Sequence, residues 1–318
     1  MHEILDTVPR PLAAAWVACL GAVVGSFLNV VIARLPRGDS VVRPRSRCPR
    51  CGAPIAWYDN VPVLSWILLR ARCRACAAPI SWRYPLVEAL AAGAALAAFF
   101  RHGLGGAFAA ELTFAAVLLA LAFIDLDTWL LPHALTWPLI AAGWVAAAAG
   151  LGPATLRGSL WGAGLGFAAF AAVAWAGERV FRKEALGFGD VWLLAGIGAW
   201  LGVKALLPVV LLASLQGSLV GIALILLGKA TPGRPISTET TSPTAPPAAT
   251  QIPTGPSAAA QIQAATSSPS PIARPSGGDW VPPRNAVPFG PFLALGALEW
   301  LWLGDGLARL VPALGIFR

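Results

Sequence analysis

Two kinds of residue in this chain have types and spacings suited to chemistry: a set of four cysteines and a set of three aspartates. The cysteines stand in "CPRCGAPIAWYDNVPVLSWILLRARCRAC" as Cys48, Cys51, Cys73 and Cys76, two C-x-x-C pairs 21 residues apart. Each pair offers two sulfurs from one tight knuckle, and the spacer lets the knuckles face each other, which suits tetrahedral coordination of zinc. Neighbouring arginines favour thiolate over thiol. A closed four-sulfur site has no open coordination position, so the expected zinc is structural. The alternative is a redox dithiol or a pair of disulfides, which a reducing compartment opposes.

The aspartates lie at the ends of apolar runs. Asp190 opens "DVWLLAGIGAWLG" behind "GFG", and Asp125 and Asp127 lie in "FIDLDTWLLPH". An ionised carboxylate at the edge of hydrocarbon is costly, so a partner or a use is expected for it. Gly187 and Gly189 remove side-chain bulk, so a substrate backbone or a neighbouring helix can come close to Asp190. Free N–H groups at a helix start also stabilise an anion there.

If Asp125 and Asp190 meet, one proton is shared between them. The ionised member then takes a proton from water while the other polarises a carbonyl, as in an aspartic peptidase. A plain helix cap is the simpler account of Asp190. Asp127 points away from Asp125 on a helix and reads as a supporting or interfacial residue, able to exchange roles with Asp125 if the helix phase shifts. The rival reading is a proton or cation transporter built on paired carboxylates. Carboxylates near one membrane face and the lack of a visible inverted repeat argue against it.

The elements that must position these residues are membrane helices. Of 318 residues, 57% are hydrophobic and 12% charged, and mean hydropathy is +0.69. A soluble chain is about a quarter charged. Eight spans are expected: Pro11–Arg34, Tyr84–Arg101, Ala107–Ile124, Ala134–Leu151, Gly158–Val180, Asp190–Gly202, Lys204–Leu227 and Val287–Val311. The first is read as a retained helix rather than a secretory signal. Fourteen Trp suit interfacial anchoring. Cys19, inside the first run, is expected to be a small buried hydrophobe.

From Arg34 to Arg83 there are ten arginines against Asp39 and Asp59. The positive-inside rule puts this loop in the cytoplasm and the N-terminus outside. The net charge of +8 is thereby explained without a nucleic-acid partner. Counting spans onward, Asp125 and Asp190 fall on the cytoplasmic side together. Gly158, Gly162 and Gly166 recur every four residues, a face for close helix packing. Residues 229–286, rich in Pro, Ser, Thr and Ala, read as a disordered cytoplasmic loop. His133 reads as an interfacial polar residue, and Glu88 and Glu111 inside apolar runs have no assigned role.

Taken in order, "GSFLNVVIARLP", the cysteine loop with "DNVPVLSW", "SWRYPLVEAL", "IDLDTWLLP", "GFGD" and "VPFGPFLALGAL" resemble the bacterial type IV prepilin peptidases. The resemblance implies an all-α polytopic bundle in the inner membrane, with Asp125 and Asp190 as catalytic aspartates. It implies cleavage of a short basic leader from prepilins or pseudopilins at the cytoplasmic face. Many members also N-methylate the new terminus with S-adenosylmethionine, and their cysteine loop is implicated in that activity or in stability. Three departures stand out. His133 occupies a position where Asp is frequent, Trp192 one where Lys is frequent, and "CAAPI" replaces "CGAPI" at Cys76.

The expected division is therefore 1–34 as a first transmembrane helix, 35–83 as a cytoplasmic zinc loop and 84–228 as the peptidase core. The loop 229–286 and a last transmembrane helix, 287–318, complete it. Membrane lipid is an expected partner.

Overall fold

The computed structural model describes residues 9–181, 187–227, 287–310 and 312–317. The segment 229–286, expected to be disordered, lies outside them. Two units are distinguished, Met1–Ala223 with Val287–Arg318, and Leu224–Ala286, of which the described part is the end of one helix and Leu227.

Among the described residues the regular structure is all helical: α1 (Arg10–Arg34), α2 (Leu64–Leu68), α3 (Arg83–His102), α4 (Gly106–Thr128), α5 (His133–Ala148), α6 (Leu156–Phe181), α7 (Phe188–Leu201), α8 (Val203–Leu226) and α9 (Gly290–Leu310). Three short 3-10 turns accompany them, at Leu35–Arg37, Trp57–Asn60 and Pro312–Phe317.

A long helix stands where each of the eight spans is expected, and five are long and apolar enough to cross a membrane: α1, α3, α4, α6 and α8. The other three fall short for local reasons. Helix α5 has 16 residues and α7 has 14, while α9 carries Glu299 and Asp305. The short link between α7 and α8 is a single residue, Gly202, at φ 81°, where a side chain would be strained.

Small residues let these helices approach closely, as interhelical packing in lipid requires. A Cβ on Gly25 would stand 2.6 Å from Glu88 Cα, which brings α1 onto α3. Gly162 of α6 and Gly198 of α7 are in backbone contact, and a Cβ on Gly166 would stand 2.8 Å from Leu194 O. Gly158 faces its own Thr155 instead, so two of the three glycines on the expected face reach α7.

Cys19 is exposed, contrary to the expectation of burial. Helix α1 turns Val17, Gly21 and Gly25 toward its neighbours, which leaves Cys19 on the outer face.

Helix α4 lies against α1, α3, α5 and α9, and α7 lies against α5, α6 and α9. Phe114, Leu118, Leu193 and Ile197 fill the shared core without measurable exposure beyond 1%. Trp200 stacks on Phe114 with centroids 5.1 Å apart and donates its indole N–H to Leu139 O at 2.8 Å. The helices that carry Asp125 and Asp190 therefore share one core and two common neighbours, α5 and α9.

Candidate active site

Asp125 sits in the last turn of α4. Trp129 ends that helix in a left-handed conformation, φ 57°, and its N–H donates to Asp125 O at 2.9 Å. Pro132 precedes α5 and cannot continue α4. Asp190 is in the first turn of α7, with its N–H donating to Gly187 O at 3.0 Å. Both side chains are more than nine-tenths buried, at 5% and 7% exposure, so neither is a solvated cap.

The two carboxylates converge on the start of α9. The Gly290 N–H donates to Asp125 Oδ2 at 3.1 Å. A Cβ placed on Gly290 would stand 2.5 Å from Asp125 Oδ2 and 3.4 Å from Asp190 Oδ1. Among the described residues Asp190 Oδ1 has no hydrogen-bond partner. An unpartnered buried carboxylate oxygen is costly, which sets Asp190 apart from Glu88 and Glu111, whose carboxylates have donors.

Asp127 is elsewhere. It pairs with Arg83 Nη1 at 2.5 Å, and Arg83 also donates to Phe123 O at 2.9 Å, tying the start of α3 to the end of α4. Gly189 has a packing reason: a Cβ there would stand 2.7 Å from Leu131 Cβ, in the α4–α5 connection. Gly187 lies beside Asp190, its Cβ position 3.7 Å from Asp190 Oδ2.

The four cysteine sulfurs lie within 4.8 Å of one another. The knuckles are copies of one turn. Cys48 N–H donates to Ala53 O and Gly52 N–H to Cys48 O; Cys73 N–H donates to Ala78 O and Ala77 N–H to Cys73 O. Isolated bridges, Arg47 to Pro54 and Arg72 to Pro79, close both.

Backbone N–H groups of Cys51 and Arg50 lower the Cys48 thiol to about 6. Cys76 is pushed up to about 11, since the favourable Ala78 N–H is outweighed by desolvation and by the neighbouring thiols. Four thiols so placed cannot all ionise unaided, and a dication resolves that conflict. The Cys48 to Cys76 separation of 3.8 Å equals the edge of a tetrahedron with metal–sulfur bonds of about 2.3 Å. The donor set thus fits a metal.

Several functional residues escaped the sequence reading. Glu88 Oε2 accepts the Val63 N–H at 2.7 Å, so a buried carboxylate of α3 anchors the cysteine loop to the bundle. Val63 is held at φ 60° there. Glu111 accepts from Arg101 at 2.8 Å, His102 at 2.7 Å and Trp302 at 2.9 Å. It lies about 21 Å along α4 from Asp125, at about 1.5 Å per residue, so it belongs to the opposite end of the bundle. Gly290 was visible only as part of "VPFGPFLALGAL". Its one local signal is a Gly-Pro pair opening an apolar run, and that signal does not name a partner.

Comparison with known proteins supplies the family. Residues 19–102 match the bacterial peptidase A24 N-terminal domain, and residues 112–222 match the type IV leader peptidase family. The chain is 45% identical to the prepilin leader peptidase/N-methyltransferase of Myxococcus xanthus (strain DK1622), over 98% of this chain and 96% of that one. It is 42% identical to the protein of the same description from Aeromonas hydrophila, over 67% of this chain and 81% of the relative. It is 41% identical to the type 4 prepilin-like proteins leader peptide-processing enzyme of Escherichia coli O78:H11 (strain H10407 / ETEC), over 62% and 80%. No solved structure matches. With an identity of 45% along nearly its whole length, the chain belongs to the type IV leader peptidase family.

Proposed function

We propose that this protein is a multi-pass membrane aspartic endopeptidase that removes the leader peptide of type IV prepilins and pseudopilins, and then methylates the new amino terminus. The observation that carries the reading is the convergence of Asp125 and Asp190, buried and from separate helices, on one point beside Gly290. One carboxylate takes a proton from water as the oxygen attacks the carbonyl carbon of the scissile bond. The other, protonated, donates to the carbonyl oxygen. Collapse of the tetrahedral adduct breaks the C–N bond, and the proton passes to the leaving amine. The buried setting keeps other water out and strengthens each of these interactions.

Zinc held by Cys48, Cys51, Cys73 and Cys76 supplies a structural cross-link between the knuckles. S-adenosylmethionine supplies the methyl group for the second activity, and no residue is assigned to it. The arginine-rich loop supports an orientation with residues 35–83 and both aspartates at the cytoplasmic face of the inner membrane and the N-terminus outside. In this reading residues 1–34 carry the first span, 84–228 form the peptidase core and 287–318 carry the last span, with lipid around the bundle.

The test is cleavage of a prepilin in detergent by the wild type, Asp125→Asn and Asp190→Asn. Loss of cleavage in both variants, each folded, is the expected result. Full cleavage by either overturns the assignment.

A further inference from the structure

Gly290 is the first residue of α9 and is itself buried between the two carboxylates. The first turn of a helix carries N–H groups without intrahelical partners. In α9 these are few. Pro291 has none, and the N–H groups of Phe292 and Leu293 donate to Phe289 O at 3.1 and 3.2 Å. The Gly290 N–H is left to point out of the helix, and it donates to Asp125 Oδ2 at 3.1 Å. An N–H can only donate, so this oxygen serves as the acceptor and the carboxyl group is held in one orientation.

The second feature is an absence of bulk. A Cβ on Gly290 would meet Asp125 Oδ2 at 2.5 Å and Asp125 Cγ at 3.2 Å, with Asp190 Oδ1 next at 3.4 Å. Those are its three nearest neighbours, so the space a side chain would fill is bounded by the two carboxylates. Asp190 Oδ1, buried and without a partner among the described residues, faces that space. Gly290 differs from the packing glycines in what it faces: its three nearest atoms all belong to carboxyl groups, whereas theirs are backbone or apolar side chain. Gly296, two turns along α9, is one of these, its Cβ position 2.9 Å from Val209 O of α8.

We propose that Gly290 is a positioning residue of the peptidase reaction: its N–H orients Asp125, and its missing side chain keeps open the gap in which the scissile amide and the attacking water meet both carboxylates. The proposal rests on the assignment of Asp125 and Asp190 as the dyad. Pro291 contributes by removing a competing donor and by presetting the first turn of α9.

The experiment combines prepilin cleavage and thermal unfolding on the full-length protein in detergent, using Gly290→Ala, Asp125→Ala and the double variant. Alanine at 290 forces the Asp125 carboxylate to move by about 1 Å, and a displacement of that size costs about 10²-fold in kcat, with KM unchanged. The melting temperature of Gly290→Ala falls in the wild-type background and recovers when Asp125 is also Ala, because the two closest clashes are gone. Should the single variant fail to fold, folding of the double variant gives the same answer. Wild-type kcat in Gly290→Ala overturns the proposal. So does an equal loss of stability in both backgrounds. If Asp125→Asn and Asp190→Asn instead cleave normally, the dyad assignment fails, and the unfolding cycle still reports separately on what Gly290 faces.

Discussion

Asp127 and Arg83 form an ion pair at 2.5 Å across the α3–α4 junction, while Asp125, two residues earlier, turns into the bundle toward Gly290. Helix geometry sends residues two apart to different faces, so the acids of "DLD" have separate surroundings. The pair is partly exposed, at 29% and 39%, so its contribution to stability is small, about 0.2 to 1 kcal/mol. Asp127→Asn is expected to cleave prepilin at close to the wild-type rate with a slightly lower melting temperature. Arg83→Ala is expected to cost more stability, about 1 to 2 kcal/mol, because the Phe123 carbonyl also loses its donor. A folded but inactive Asp127→Asn would move the catalytic role to Asp127.

His133 and Trp192, two of the positions that depart from the commoner family residues, are in ring contact, centroids 6.0 Å apart. Trp192 also packs on Phe167 at 4.8 Å and on Trp137 at 5.8 Å. Asp and Lys introduced together at these positions are expected to pair as ions across the same contact. Trp192→Lys alone should destabilise by about 1 to 2 kcal/mol through lost aromatic packing. Adding His133→Asp should restore about 1 kcal/mol of that. A thermal-unfolding double-mutant cycle measures the coupling; strict additivity would show the two sites to be independent.

The two zinc knuckles differ at one matched position. Gly52 occupies it in the first, at φ 69°, and Ala77 in the second, at φ 54°. The left-handed region costs a residue with Cβ about 1 to 2 kcal/mol, part of which glycine gives back in the unfolded chain. Ala77→Gly should therefore stabilise the loop by about 1 kcal/mol, and Gly52→Ala should weaken it by a similar amount. Resistance of bound zinc to a chelator provides the readout.

Metal analysis of purified protein should find about one zinc per chain, as expected for a single four-thiolate site. Chelation should lower the melting temperature without supplying or removing a reacting group. Protein that is fully folded and contains no metal would return the cysteines to redox chemistry.

The Arg74 guanidinium holds the Asp59 carboxyl below its ordinary value of 3.8 through a two-pronged contact at 2.6 and 2.8 Å. A depressed acid contributes stability that is complete above its unfolded value and disappears as pH falls through the folded one. The melting temperature of the wild type should exceed that of Asp59→Asn near neutral pH, and the gap should close as pH drops below about 4. A gap that widens in acid would rule out this ion pair as its source.

Hydropathy alone determined where the eight long helices lie, because hydrocarbon admits only segments whose backbone groups are satisfied within themselves. The cysteine spacing determined a knuckle pair for the same local reason: each C-x-x-C turn closes on its own hydrogen bonds. The order of short motifs determined the family.

What only the tertiary structure decided is which groups meet. Asp190 and Gly290 are brought together by α7 packing against α9, and no periodicity in either run encodes that contact. Glu88 and Glu111 looked alike in sequence, each a lone acid in an apolar run. One anchors the cysteine loop and the other closes the far end of the bundle. The role of a buried carboxylate is set by the donors that reach it, and those donors come from helices distant in the chain. Residues such as Gly290, which act by a backbone N–H and by lacking a side chain, leave no chemical signature in a sequence. Their function exists only where the folded chain puts something beside them.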